Sequence, residues 1–217
     1  MNDPGVIEKI AAEVKRRLEG EGSGHDWWHT YRVWKISRHI GIGEGADLFV
    51  IELAAFLHDI ADHKFHNGDL TVGPAVARQM LAGNSLPDEV IDHVCDIIGT
   101  MSYKGAGVKT DMRTLEGKVV QDADRIDAIG AIGIARAFAY GGYKNRPIHV
   151  PGEEPILHRT KEAYFKSNGA SINHFYEKLL LLKDRMNTEM AKKIAEDRHM
   201  FMEEYLNRFF KEWEGDL

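Results

Sequence analysis

The chain has 217 residues, 43% hydrophobic and 29% charged, with a formal net charge of −6. That is enough chain for one substantial core, and the acidic balance argues against broad binding to a phosphate backbone. A single cysteine, Cys95, excludes an internal disulfide and any cysteine-rich zinc site.

The first segment, "MNDPGVIEKIAAEVKRRLEG", lacks the basic-then-apolar order of a signal peptide. No apolar run approaches the ~20 residues needed to span a bilayer. A cytoplasmic protein is expected. Val6, Ile7, Ile10, Ala11, Val14 and Leu18 form one helical stripe, ended by Gly20, Gly22 and Gly24. "WWHTYRVWKISRHIGI" reads as a second helix, with Gly41 and Gly43 expected to close it. "ADLFVIELAAFLHDIA" is a third, apolar almost all round and therefore central.

"TVGPAVARQMLAG" and "PDEVIDHVCDIIGTM" follow, the latter with Pro87 expected at the first helical position. "RTLEGKVVQDADRIDAIGAIGIARAFAYGG" is a long or kinked helical stretch. "YKNRPIHVPGEEP" is a loop, with three of the chain's six prolines. "ASINHFYEKLLLLKDRM" reads as one amphipathic helix. A final helix runs from about residue 188 and places Ile194, Phe201, Tyr205, Leu206 and Phe209 on one side. No stretch shows sustained period-2 alternation. The expected fold is all-α: one domain over 1–217, with a core at about 20–130 and C-terminal helices at about 168–217 packed back on it.

The apolar run "FVIELAAFL" ends abruptly in His58-Asp59. His29 lies near the start of the second helix, and Asp124 lies in another apolar helix, "DADRIDAIG". Several acids beside imidazoles on apolar helices are costly to bury unless a cation compensates. Helix bundles build metal sites from such converging side chains. On spacing alone, surface and capping roles are the commoner use of such residues.

The order His29 … His58-Asp59 … Asp124 resembles the HD superfamily of metal-dependent phosphohydrolases. "HDWWHTYRV" is similar to that family's first-ligand helix, "FLHDIADHKF" to its namesake segment and "DADRIDAIG" to its final-ligand helix. "HFYEKLLLLKDRMNT" and "AKKIAEDRHMFMEEYLNRFFKEW" resemble the tail of small stand-alone bacterial members, the YpgQ/YedJ-like group. The resemblance implies His29, His58, Asp59 and Asp124 as ligands of a divalent ion. It also implies hydrolysis of phosphate esters or anhydrides, the group including a nucleotide pyrophosphohydrolase. Many relatives carry two further histidines and a second metal. Here that region reads "IDHVCDIIGTMSYKG", which offers His93 alone and favours a mononuclear site. A His₂Asp₂ set suits Mn²⁺ first, with Mg²⁺, Fe²⁺, Co²⁺, Ni²⁺ and Zn²⁺ as alternatives.

Asp62 follows Asp59 by about one turn and is the candidate general base. Lys64, beyond it, is assigned to catalysis and to substrate phosphate. Arg32, one turn after His29, together with His66, Lys104, Tyr143 and Arg146, completes the expected substrate contacts. Arg125 is expected to pair with Asp122 or Asp127, and Asp26 is a lesser candidate to orient His29. Trp27, Trp28 and Trp34 serve either helix packing or base stacking, packing being the simpler reading. The expected reaction converts a nucleoside triphosphate to a monophosphate and pyrophosphate. A nucleotide phosphomonoesterase and a non-catalytic nucleotide sensor are the alternatives. The expected partner is a small nucleotide, with no nucleic acid and no membrane; a homodimer through the last helix is left open.

Overall fold

All regular structure among the described residues is helical, as the 3.6-residue periodicity requires. The computed structural model describes residues 4–20, 26–61, 69, 71–101, 112–157 and 169–216. The chain divides into two units. The first comprises Met1–Tyr103 and Lys109–Asp124, the second Lys104–Val108 and Arg125–Leu217.

The first unit holds α1 (Pro4–Leu18), α2 (Trp27–Glu44), α3 (Leu48–Leu57), α4 (Val72–Ala82), α5 (Asp88–Thr100) and most of α6 (Leu115–Asp127). Helix α3 is its centre and packs against α1, α2 and α5. Asp47 caps α3 by accepting the Phe49 and Val50 amides at 2.9 and 3.5 Å. From Phe49 to Leu57 every side chain is buried except that of Glu52. Each large one contributes about 1.5–3 kcal/mol of burial. Glu52 stays half-buried because it accepts the Trp34 indole N–H at 2.7 Å and faces Arg38 at 3.3 Å. Val6, Ile10, Val14 and Leu18 are the buried stripe of α1.

Helix α2 does not close at Gly41 or Gly43. It continues to Glu44 and ends at Gly45, whose φ of 71° is the left-handed cap that glycine adopts freely. Gly41 is instead a packing glycine. A Cβ there would lie 2.7 Å from Ile51 Cδ1, so its absence lets α2 approach α3. Pro87 sits at the N-cap of α5 rather than inside it. Cys95 is a buried thiol that donates to the Pro74 carbonyl at 3.4 Å, and burial pushes its pKa up.

In the second unit the long stretch after residue 113 breaks, α7 spanning Gly130–Tyr143. Residues 170–186 do not form one helix. A short α8 (Asn173–Glu177) is followed by 3₁₀ turns at Leu179–Leu181 and Lys183–Arg185. Leu179 and Leu182 are both buried at a spacing of three, which a 3₁₀ turn places on one face. Helix α9 (Glu189–Glu214) is capped by Thr188 and packs on α7. Its buried face is Ala191, Ala195, His199, Met202 and Leu206; Phe201, expected inward, is exposed. No helix is long and apolar enough to cross a membrane among the described residues.

Candidate metal centre

Two helix ends in the first unit build the cluster. Asp26 is the N-cap of α2, and its Oδ1 accepts the backbone N–H of His29 at 2.8 Å. The carboxylate therefore fixes the first turn of α2 and, with it, the backbone of His29; the contact is to the amide rather than to the imidazole. His58 is the residue at which the buried helix α3 ends. Its Nδ1 lies 2.8 Å from the Ala55 carbonyl oxygen. A carbonyl can only accept, so Nδ1 carries the proton of the neutral ring and Nε2 presents its lone pair.

That lone pair points at other donor atoms. His58 Nε2 is 3.2 Å from His29 Nε2 and 3.3 Å from Asp59 Oδ2. His29 Nε2 is also 3.3 Å from Asp59 Oδ2 and 3.4 Å from Asp124 Oδ1. The ligating atoms of His29, His58 and Asp59 all lie within 4.8 Å of one another, and Asp124 joins the cluster at His29. Both imidazoles are buried, His29 to 1% exposure.

Lone pairs and carboxylate charge facing one another at this range repel unless a cation lies among them. Two imidazole nitrogens and two carboxylate oxygens are the donor set of a divalent first-row ion, so the residues present fit a metal. Protonation behaviour carries the same message. Burial pulls the His58 pKa down, yet the adjacent Asp59 carboxylate, by charge and hydrogen bonding, raises it above its usual value. Burial works against ionisation of Asp124, but its hydrogen bond to His29 and the charge of both imidazoles hold it well below the usual carboxylate range. The site concentrates affinity for positive charge.

A buried bundle helix that ends in His-Asp, facing a second histidine and a distant aspartate, is the arrangement after which one superfamily is named. The HD-domain family model matches residues 27–129. The chain belongs to the HD superfamily of metal-dependent phosphohydrolases. It is 40% identical over 211 residues to the YpgQ protein of Bacillus subtilis, which covers 96% of this chain and 94% of YpgQ. An HD-superfamily hydrolase from Bacillus thuringiensis has a crystal structure that superposes with a TM-score of 0.76 at 44% identity, covering 96% of each chain. The crystal structure of YpgQ in complex with ADP superposes with a TM-score of 0.72 at 34% identity, covering 95% of this chain and 97% of YpgQ.

The other sequence candidates are placed as follows. Arg32 is half-buried on α2, one turn after His29. Tyr143 and Arg146 belong to the second unit. There Tyr143 is 68% exposed and the Arg146 guanidinium lies 5.9 Å from the Tyr140 ring. Asp62, Lys64, His66 and Lys104 lie outside the described residues. Trp27 and Trp34 stack on Phe56 with centroids 6.0 and 5.2 Å apart, which is packing, whereas Trp28 is 60% exposed. His93 bonds Thr114 Oγ1 at 2.9 Å and faces Glu116 at 3.8 Å. Arg125 donates to the Arg185 carbonyl, and the ion pair of Asp127 is with Arg136. The Ala55 carbonyl, which sets the His58 tautomer, has no signal in the sequence because every residue carries a carbonyl.

Proposed function

We propose that this chain is a divalent-metal-dependent nucleotide hydrolase that cleaves a nucleoside triphosphate between its α and β phosphates, releasing a nucleoside monophosphate and pyrophosphate. The observation that carries the reading is the gathering of His29, His58 and Asp59 donor atoms within 4.8 Å of one another, with Asp124 Oδ1 3.4 Å from His29 Nε2. Those four side chains are the proposed ligands of one ion, Mn²⁺ before Mg²⁺, Fe²⁺, Co²⁺, Ni²⁺ or Zn²⁺ because half of the set is hard carboxylate. Such an ion supplies Lewis-acid neutralisation of phosphoryl oxygens and lowers the pKa of water. A nucleotide is favoured because YpgQ, 40% identical, crystallised with ADP.

The chain's own side chains then divide the work. Ala55 keeps His58 turned so that Nε2 faces the cluster, and the Asp26 cap keeps His29 in register. Asp62, three residues after Asp59 in the sequence, is the proposed base that takes the proton of the attacking water. Lys64 is the proposed contact to the phosphates and shares catalysis with Asp62, and Arg32 is proposed to add a guanidinium fork for phosphate oxygens. His66, Lys104, Tyr143 and Arg146 are the remaining proposed substrate contacts. Incubation of chelator-treated and Mn²⁺-loaded protein with a panel of nucleoside triphosphates tests the reaction. Pyrophosphate and monophosphate in equal amounts, from the loaded protein alone, are expected. Nucleoside and orthophosphate as the only products would replace this reading with a phosphomonoesterase. Nucleotide binding with no product would replace it with a sensor.

A further inference from the structure

Helix α6 ends without a glycine at its cap, and Asp124 sits in its final turn. An α-helix leaves its last four carbonyls without helical partners, and in α6 these belong to Asp124, Arg125, Ile126 and Asp127. In α6 the Arg125 and Ile126 carbonyls accept the Ala128 and Ile129 amides at 3.1 and 3.2 Å, and arginines from farther along the chain add donors to the Ile126 and Asp127 carbonyls. Arg198 of α9 donates Nη1 to the Ile126 carbonyl at 2.6 Å. Arg136 of α7 donates Nη1 to the Asp127 carbonyl at 3.4 Å and pairs with the buried Asp127 carboxylate. The stem of Arg198 lies against Gly130, where φ is +74° and a Cβ would come within 2.9 Å of Arg198 Cγ. Gly130 thus combines a backbone conformation that favours glycine with the bare surface along which Arg198 reaches the helix end. A guanidinium at this position also meets the negative end of the helix dipole.

We propose that Arg198, supported by Arg136, is a positioning residue for the metal centre: by holding the carbonyls that end α6, it fixes the turn from which Asp124 extends. The proposal rests on the reading of Asp124 as a metal ligand. Its route is the backbone of α6. Asp124 is the last residue of the first unit and Ile126 lies in the second, so the effect runs along one continuous helix and needs no contact between the units. Loss of the clamp lets the final turn fray, and a frayed turn presents Asp124 to the ion over a range of positions instead of one.

A double-mutant cycle read by metal affinity on the full-length chain tests this, with Mn²⁺ titrated into chelator-treated protein by calorimetry. Arg198→Met is expected to weaken Mn²⁺ binding by about tenfold, the lower range for loss of a residue that supports a ligand. Arg198→Lys, which keeps the charge at the helix end, is expected to stay within about threefold of the parent. Asp124→Asn weakens binding by itself, and in that background Arg198→Met adds nothing further, because the residue it acts through has already lost its charge. If Arg198→Met does not fold, Arg198→Gln, which retains the carbons nearest Gly130, replaces it in the cycle. The same tenfold loss persisting in the Asp124→Asn background would show general damage and overturn the clamp. A normal affinity for Arg198→Met, with Asp124→Asn impaired, would overturn the clamp and leave the ligand reading intact. A normal affinity for Asp124→Asn would remove the ligand reading and the clamp with it.

Discussion

Removing the metal is expected to expose a fall in stability with rising pH at the cluster, where the loaded protein stays level. In stripped protein His29 Nε2 and His58 Nε2 face each other at 3.2 Å with Asp59 Oδ2 at 3.3 Å from both. A proton is then the cation available to the site. Burial lowers the proton affinity of His58 and the Asp59 charge more than restores it, so the folded pKa lies above the ordinary imidazole value of 6.5. Between 6.5 and that raised value the folded state binds more protons than the unfolded one, and stability falls as pH rises. Below 6.5 this contribution is complete. In metal-loaded protein the ion must displace the same proton, so at fixed free metal its contribution grows through the same window. The growth is about 1.4 kcal/mol per pH unit for each proton displaced. At free Mn²⁺ about 100 times Kd the ion contributes about 2.7 kcal/mol. For a chain of this size that is a rise in Tm of about 5–11 °C. Thermal melts of stripped and loaded protein at about pH 6.5 and about pH 8.5, with free Mn²⁺ constant, read both slopes. A Tm difference that stays level or narrows as pH rises would refute the reasoning, as would stripped and loaded proteins that melt together.

Asp62→Asn should retain near-normal metal content and lose turnover by roughly 10²–10⁴-fold, measured on one purified sample; loss of the metal instead would make Asp62 a ligand. Asp26→Ala removes the α2 cap and should cost about 1 kcal/mol in urea unfolding, with weaker metal binding through His29. Unchanged unfolding would mean that solvent replaces the cap. Burial, with Lys178 and Arg146 nearby, pushes His174 down to about 3. As pH falls below the ordinary imidazole value of 6.5 the unfolded state takes up this proton first, so the stability held above 6.5 is lost progressively toward about 3. His174→Gln should flatten that decline in Tm, and an unaltered slope would assign it to other groups.

Much of the fold was legible because burial leaves a periodic trace. Val6, Ile10, Val14 and Leu18, and the run of α3 that is apolar but for Glu52, reveal helices directly. The glycines were harder, since one residue type serves two purposes. Gly45 ends α2 by its backbone angle, whereas Gly41 lies within the helix because Ile51 occupies the space of its missing Cβ. The four leucines from Leu179 to Leu182 read as helix by composition, but their burial at a spacing of three selects a 3₁₀ path. At the site, His29, His58-Asp59 and Asp124 stood out through family resemblance more than through spacing. The residues that orient them did not. The Ala55 carbonyl is a backbone atom, and Arg198 and Arg136 reach α6 through tertiary packing that sequence separation conceals.

One divalent ion is proposed to be held by His29, His58, Asp59 and Asp124. Crystals grown with Mn²⁺ and measured for anomalous scattering near the manganese edge locate that ion directly. A single anomalous peak is expected, bonded to His29 Nε2, His58 Nε2, Asp59 Oδ2 and Asp124 Oδ1 at about 2.0–2.3 Å from each. No peak among those atoms, or a peak that excludes Asp59 or either histidine, would contradict it.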